Sequence, residues 1–89
     1  MTTMFVRHTV SNYAAWRKAY DDVAPVQKAK GVTAEAVYQA ADNPNDVTVT
    51  HDFATLEAAR AFAGSEELKQ AMQRAGVAGA PTIWFTNKV

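Results

Sequence analysis

The segment from Val47 to Phe53 constrains the fold more than any other part of the sequence. Apolar or aromatic side chains alternate there with short polar ones, Val47, Val49, His51 and Phe53 on one face and Thr48, Thr50 and Asp52 on the other. A period of two residues is typical of a β-strand with one covered and one open face. Because antiparallel sheets commonly bury a single face, we expect helices to cover the apolar side.

Three further segments have strand patterns. Together with the first, the expected strands are residues 4–10, 32–40, 47–53 and 82–86. In the earliest, alternation places His8 on the apolar face and Arg7 on the other. In residues 32–40, we place Ala34 and Ala36 toward the helices and Glu35 toward the open side.

Helical patterns lie between these strands. Behind the N-cap candidates Ser11-Asn12, large side chains recur at spacings of three, four and three, at Tyr13, Trp16, Tyr20 and Val23. Pro25 lacks an amide hydrogen, so we expect a break there. Thr55 and Gly64-Ser65 delimit a pair of short helices. Asn43-Pro44-Asn45-Asp46 predicts a turn, because proline presets the backbone for it.

The order strand, helix, strand, strand, helix pair, strand predicts an α+β fold of the ferredoxin-like βαββαβ type, as one domain over residues 1–89. Such a sheet has four antiparallel strands, with the first and third at its centre and helices on one face. The other face is left bare. Its expected residues are Phe5, Arg7, Thr9, Thr48, Thr50, Asp52 and Trp84. This amphipathic surface suits packing against a second copy.

Composition limits the partners of the chain. A domain of 89 residues without cysteine buries only about 60–65% of its unfolded surface, so a partner subunit is the simplest further source of burial. We therefore expect a homodimer. Nine basic residues balance nine acidic ones, which gives no field for nucleic acid. Neither a membrane span of roughly 20 apolar residues nor a signal peptide is recognisable, so we expect a cytoplasmic protein without a membrane partner.

A family resemblance rests on four passages. They are Val6-Arg7-His8-Thr9-Val10 with Tyr13 and Trp16, Asp42-Asn43-Pro44-Asn45, Ala59-Arg60-Ala61-Phe62 with Ser65-Glu66-Glu67-Leu68, and Ala75-Gly76-Val77. Over nearly the whole chain they resemble the dimeric α/β-barrel superfamily, which includes antibiotic-biosynthesis monooxygenase-like proteins, stress-responsive barrel proteins and some polyketide cyclases. The closest likeness is to small bacterial members without an assigned reaction. The resemblance implies that two bare sheets face each other as a dimeric α/β barrel, with a small-molecule cavity between each sheet and its own helices.

The resemblance also implies a reaction class. Some members oxygenate aromatic polyketides without metal or flavin, some cyclise linear polyketides and some degrade haem. His8 matches the first-strand histidine of the cyclases. However, Phe62 and Leu68 occupy the positions nearest to their tyrosine and second histidine, which makes a cyclase the less favoured choice. Among these reactions a cofactor-independent monooxygenase is the leading hypothesis, and whether the chain catalyses any reaction stays open at this point.

His8 and His51 are the candidate catalytic residues, because only they titrate naturally near neutral pH. Alternation places both on the helix-covered face. If the central strands pair centre to centre, His8 lies opposite Val49 and His51 opposite Val6, about 7–8 Å apart at the backbone. General acid/base or substrate-orienting roles compete with a role as hydrogen-bonded core groups. We expect no metal site, because no carboxylate is predicted on that face.

Four aromatic residues are the candidate substrate-binding group: Tyr13, Trp16, Tyr20 and Phe62. They could enclose a flat apolar ligand, or they could be ordinary core. Small residues around them leave volume, namely Ala34, Ala36, Ala59 and Ala63. On the bare face, Arg7, Glu35 and Asp52 are expected to form ion pairs within or across the dimer.

Two function hypotheses follow. The first is a homodimer that binds a small aromatic or polyketide-like molecule and acts as a cofactor-independent monooxygenase. The second is a noncatalytic binding or stress-related module with a packed core. A cavity beside His8 and His51 favours the first, whereas aromatic side chains that fill this volume favour the second.

Overall fold

Alternating strands and capped helices assemble into a four-stranded antiparallel sheet with helices on one face. A computed structural model describes residues 1–89. Its elements are β1 Thr2–Val10, α1 Tyr13–Asp22, α2 Ala24–Ala29, β2 Ala34–Ala40, β3 Asn43–Phe53, α3 Leu56–Ala63, α4 Glu66–Arg74 and β4 Val77–Asn87. The strand order is β2-β3-β1-β4. The predicted ferredoxin-like α+β fold is therefore confirmed, with β1 and β3 at the centre of the sheet.

The register of the central strands differs from the prediction. Val6 pairs with Val49, whereas His8 pairs with Val47 rather than with Val49. The cause is the start of β3, which begins at Asn43, four residues before the predicted strand. The midpoint of β3 therefore lies earlier in the sequence than the midpoint of the predicted strand. As a result, the observed register differs from the centre-to-centre prediction by two residues, which is one position on the same face.

The turn between β2 and β3 lies earlier than predicted. The chain reverses at residues 41–42, and Ala40 pairs directly with Asn43. The register then shifts so that Gln39 pairs with Val47. Pro44 lies in the stretch left without a β2 partner, where its missing amide hydrogen removes no bond between these strands. Proline marks an irregular strand start here, and the predicted turn at residues 43–46 is wrong.

The faces of β2 are also inverted relative to the prediction. Val37 pairs with Val49 and packs against the buried cluster beneath the helices, and Glu35 pairs with His51. Ala34 and Ala36 therefore lie on the open face. The error came from Val32, which does pack against the core but precedes β2, so its orientation does not extend through the strand.

Side-chain caps begin the helices where the sequence indicated. The Asn12 side chain accepts a hydrogen bond from the Ala15 amide at 3.0 Å, and Thr55 and Ser65 cap α3 and α4 in the same way. The first helical segment breaks at Val23, two residues before Pro25. Helix α4 contributes no buried residue, whereas the other helices each bury at least one. No helix is long and apolar enough to cross a membrane.

Two clusters of buried side chains form the core. One contains Met4, Val6, Phe53, Ala59 and Phe62, and the other contains Val10, Trp16, Val47 and Val49. On the open face, Phe5 and Trp84 stack with their ring centroids 5.2 Å apart. Trp84 is 39% exposed there and Tyr38 is 58% exposed. The open face therefore presents uncovered aromatic surface.

Candidate functional site

Five aromatic rings form a continuous row beneath the helices. In order they are His8, Trp16, Tyr20, His51 and Phe62, with successive centroids 5.6, 4.9, 6.2 and 5.4 Å apart. Helical spacing places Trp16 and Tyr20 one turn apart on α1, where they stack. Period-two alternation directs His8 of β1 and His51 of β3 toward them. The row thus joins two strands and two helices.

A cavity of about 130 Å³ lies along this row, between the sheet and the helices. Five of the six candidate site residues line it: His8, Trp16, Tyr20, His51 and Phe62. Tyr13 does not, although it packs beside Trp16 at 5.8 Å between centroids. Helix α4 supplies much of the opposite wall, including Leu68 and Met72. The aromatic side chains therefore border this space without filling it.

His51 is held by polar groups at one ring nitrogen only. The residue is only 3% exposed. Its Nε2 lies 3.3 Å from Gln27 Nε2 and 3.4 Å from the Tyr20 oxygen. The other nitrogen, Nδ1, is buried without a hydrogen-bond partner in the protein. Burial lowers the pKa of His51 to about 4, against smaller opposing effects of Glu35 and Asp52. The imidazole is therefore neutral at pH 7.

A carboxylate reaches this network from β2. The Tyr20 hydroxyl donates to Glu35 Oε2 at 2.6 Å. Burial and this hydrogen bond raise the pKa of Tyr20, so the phenol keeps its proton at neutral pH. The predictions that Glu35 lies on the bare face, and that no carboxylate shares the face of the histidines, are both wrong because the faces of β2 are inverted.

His8 has a different environment. Its residue is 8% exposed, and both ring nitrogens are buried without a partner in the protein. Burial lowers its pKa, and the negative charge of Asp46 opposes this shift. His8, a residue of the cavity lining, is thus a neutral imidazole with both ring nitrogens unpaired, whereas one nitrogen of His51 already has polar neighbours.

The two histidines are buried on the helix-covered face as predicted, but they are not neighbours. Because His8 pairs with Val47, His51 lies four residues further along the adjacent strand. At about 3.3 Å per residue this displacement is roughly 13 Å. Trp16 and Tyr20 lie between them in the aromatic row, so one ligand can contact both histidines only if it is elongated.

The predicted ion pairs of the open face are only partly present. Arg7 pairs with Asp46 of the same chain at 2.6 Å. Asp52 instead accepts a hydrogen bond from the Thr3 hydroxyl at 2.6 Å. No group of three or more His, Cys, Asp or Glu side chains is arranged to hold a metal ion.

Gln27 was missed by the sequence reasoning. It is 6% exposed, lines the cavity and contacts His51. The signal was available: Trp16, Tyr20, Val23 and Gln27 continue spacings of four, three and four residues across the break at Pro25. A polar residue on the apolar stripe of a helix indicates a buried hydrogen bond.

Comparison with known proteins identifies the family. A model of the family described as antibiotic biosynthesis monooxygenase matches residues 4–74. The chain belongs to this family. The match covers β1 through α4, and therefore includes every element that lines the cavity described above. No curated protein matches the sequence at a significant level.

Solved structures of several other proteins have the same fold. A Bordetella bronchiseptica protein assigned to this family superposes with a TM-score of 0.85 at 17% identity, over 99% of this chain and 96% of that one. SnoaB, a cofactor-independent oxygenase from Streptomyces nogalater, gives 0.80 at 12% identity, over 99% and 92%. A family protein from Caulobacter crescentus gives 0.74 at 21% identity, over 99% and 90%. At these identities the likeness establishes the fold.

Proposed function

We propose that this family member binds a planar aromatic or polyketide-like molecule between its sheet and helices and oxygenates it without a cofactor. The observation that carries the proposal is the apolar cavity beside His8, whose two ring nitrogens have no partner in the protein. Buried polar groups are normally hydrogen-bonded, and unpaired ones concentrate at functional sites. SnoaB, a cofactor-independent oxygenase of similar fold, supports the choice of reaction.

The cavity suits an aromatic ring in size and lining. Its volume of about 130 Å³ is close to that of an engineered apolar cavity of about 150 Å³ that binds benzene. Exposed side chains of Val26, Gln70 and Arg74 belong to the lining, so the cavity reaches the surface. One ring can be enclosed while further fused rings extend toward this rim.

The proposed reaction converts an activated CH2 group beside a phenol or ketone into a carbonyl. His8 accepts a proton from this carbon, and the resulting carbanion transfers one electron to O2. The two radicals combine into a peroxide, whose O–O bond breaks with loss of the second C–H proton. The overall change is CH2 plus O2 to C=O plus H2O. The aromatic walls exclude bulk water from the carbanion.

The direct test combines ligand-induced melting shifts with oxygen uptake. The probes are phenol, 1-naphthol and anthrone, used with the wild type, His8→Gln and the control Arg7→Gln, which alters the neighbouring residue on the opposite face. We expect binding of at least one probe and oxygen uptake with anthrone. Uptake should fall about 10²–10⁴-fold in His8→Gln, the usual contribution of a general base, and stay unchanged in the control. Binding without uptake would support the noncatalytic alternative.

We also propose that the open face of the sheet joins two copies into a dimeric barrel. The exposed Trp84 stacked on Phe5, together with the exposed Tyr38, forms aromatic surface that a second sheet would cover. Light scattering of the wild type should give twice the mass of one chain, and Trp84→Glu should shift the protein toward monomers. A stable monomer of the wild type at micromolar concentration would refute this assembly.

A further inference from the structure

We propose that Gln27 is a positioning residue that fixes His51 as the tautomer protonated on Nδ1, so that His51 donates a hydrogen bond to an oxygen atom of the bound ligand. The ligand part of this inference rests on the proposed function, whereas the tautomer part does not. The site would then contain an acceptor at His8 and a donor at His51. The aromatic residues that line the cavity do not by themselves assign these roles to the two histidines.

The direction of the hydrogen bond follows from the chemistry of the amide. Gln27 presents its side-chain nitrogen to His51 Nε2 at 3.3 Å, and an amide nitrogen can donate but cannot accept. Nε2 is therefore the acceptor. A neutral imidazole carries its single proton on the other nitrogen, which is Nδ1.

The second neighbour of Nε2 does not compete as a donor. The Tyr20 oxygen lies 3.4 Å from Nε2, but its only proton is directed to Glu35 Oε2 at 2.6 Å. The short distance is typical of a strong hydrogen bond to a carboxylate. Because Glu35 accepts the hydroxyl proton of Tyr20, Tyr20 cannot donate to Nε2. Gln27 is therefore the only donor to Nε2. The low pKa of His51 is consistent with a neutral ring.

Burial makes the free nitrogen significant. Nδ1 of His51 has no partner in the protein, and the residue lines the cavity. An unpaired donor in a buried site favours a ligand that supplies an acceptor, because the alternative is a donor left unsatisfied. The expected ligand therefore carries a carbonyl or phenolate oxygen at the His51 end. The backbone positions of the two histidines are roughly 13 Å apart. Because His8 is the proposed base, the reacting carbon of the ligand lies at the His8 end.

The tautomer is tested on the ligand-free protein by long-range ¹H–¹⁵N correlation NMR of the histidine rings at pH 7. The wild type should have the pattern of protonated Nδ1. Gln27→Glu supplies an acceptor in the same place and should move the proton to Nε2, whereas Gln27→Met should give a mixture of tautomers. The matched control is Gln73→Met, which changes an exposed glutamine of α4 that does not line the cavity and should leave the wild-type pattern. An Nε2-protonated wild type, or a pattern unaffected by both Gln27 variants, would overturn the inference.

The ligand part is tested with two probes that differ by one oxygen atom, 1-tetralone and tetralin. The wild type should bind 1-tetralone about tenfold more tightly than tetralin, as expected for one hydrogen bond to a buried donor. In Gln27→Glu this ratio should approach one, and in Gln73→Met it should be retained. An unchanged ratio in Gln27→Glu would contradict the role of Gln27. Failure of the wild type to bind either probe, with the Nδ1 tautomer present, would refute the proposed function and the ligand part, but not the positioning of His51.

Discussion

The burial of His51 predicts a specific loss of stability in acid. Its pKa is about 4 in the folded protein, against 6.5 in the unfolded chain. Between these values the unfolded state binds more protons than the folded state, so the free energy of unfolding falls as the pH falls. Well above pH 6.5 both states are neutral at this residue, so it contributes no pH dependence there.

The magnitude follows from the two pKa values. At pH 4.5 the unfolded imidazole is almost fully protonated and the folded one is only partly protonated. With about 1.36 kcal/mol for each pH unit of difference, His51 lowers the free energy of unfolding by about 2–3 kcal/mol relative to pH 7. This is a large part of the stability of a small domain, which is about 5–15 kcal/mol.

The assay compares the wild type with His51→Leu, which has no titrating group at this position. Urea unfolding is followed by tryptophan fluorescence at pH 7 and pH 4.5, at one fixed protein concentration. Carboxylates and His8 are common to both proteins, so the difference between their acid losses isolates His51. We expect the wild type to lose about 2–3 kcal/mol more than the variant. Equal losses would refute the argument, because His51 would then titrate near its ordinary pKa in the folded state.

Three further substitutions test the packing and the turns. Phe62→Ala should destabilise the fold by about 3–5 kcal/mol in urea unfolding, because Phe62 is 2% exposed and packs against the core. Gly76→Ala should cost about 1–2 kcal/mol, because Gly76 has a φ of +76° and its added Cβ would lie 2.9 Å from Ser11 Oγ. Gly64→Ala, without either constraint, should be nearly neutral, and an equal cost at both glycines would contradict this reasoning. Thr55→Ala should lower stability by about 1 kcal/mol through loss of the cap of α3, which a Tm measurement would detect.

The sequence predicts the faces of the central strands and the helix caps correctly. It does not predict the faces of the edge strand β2. From Val47 to Phe53 of β3 every inward position is large and every outward position is short and polar, so the phase of the pattern is unambiguous. In β2, alanines and Tyr38 occupy one face, and Glu35 and Gln39 share the other with Val37, so hydrophobicity does not determine which face is covered. Long-range packing of Val37 against β3 decides it.

The candidate site was predicted at the level of its residues but not of its geometry. His8, Trp16, Tyr20, His51 and Phe62 all line one cavity, because each face could be assigned from local periodicity. The distance between the histidines depends on the register of β1 against β3, which differs from the prediction because β3 begins at Asn43. The contact of Tyr20 with Glu35 depends on the face of β2. Both are tertiary properties that no local pattern contains.

Helix α4 covers the cavity although it buries no residue of its own. Half-buried side chains such as Leu68 attach it to the rest of the protein. An ion pair between Lys30 and Glu67 adds to this attachment, but both charged side chains are about half exposed, so water screens their attraction. Local opening of α4 should therefore cost less free energy than unfolding of the sheet. The amide protons of α4 should exchange faster than those of β1 and β3. Opening of α4 alone would therefore admit the proposed ligand to the cavity while the sheet stays intact.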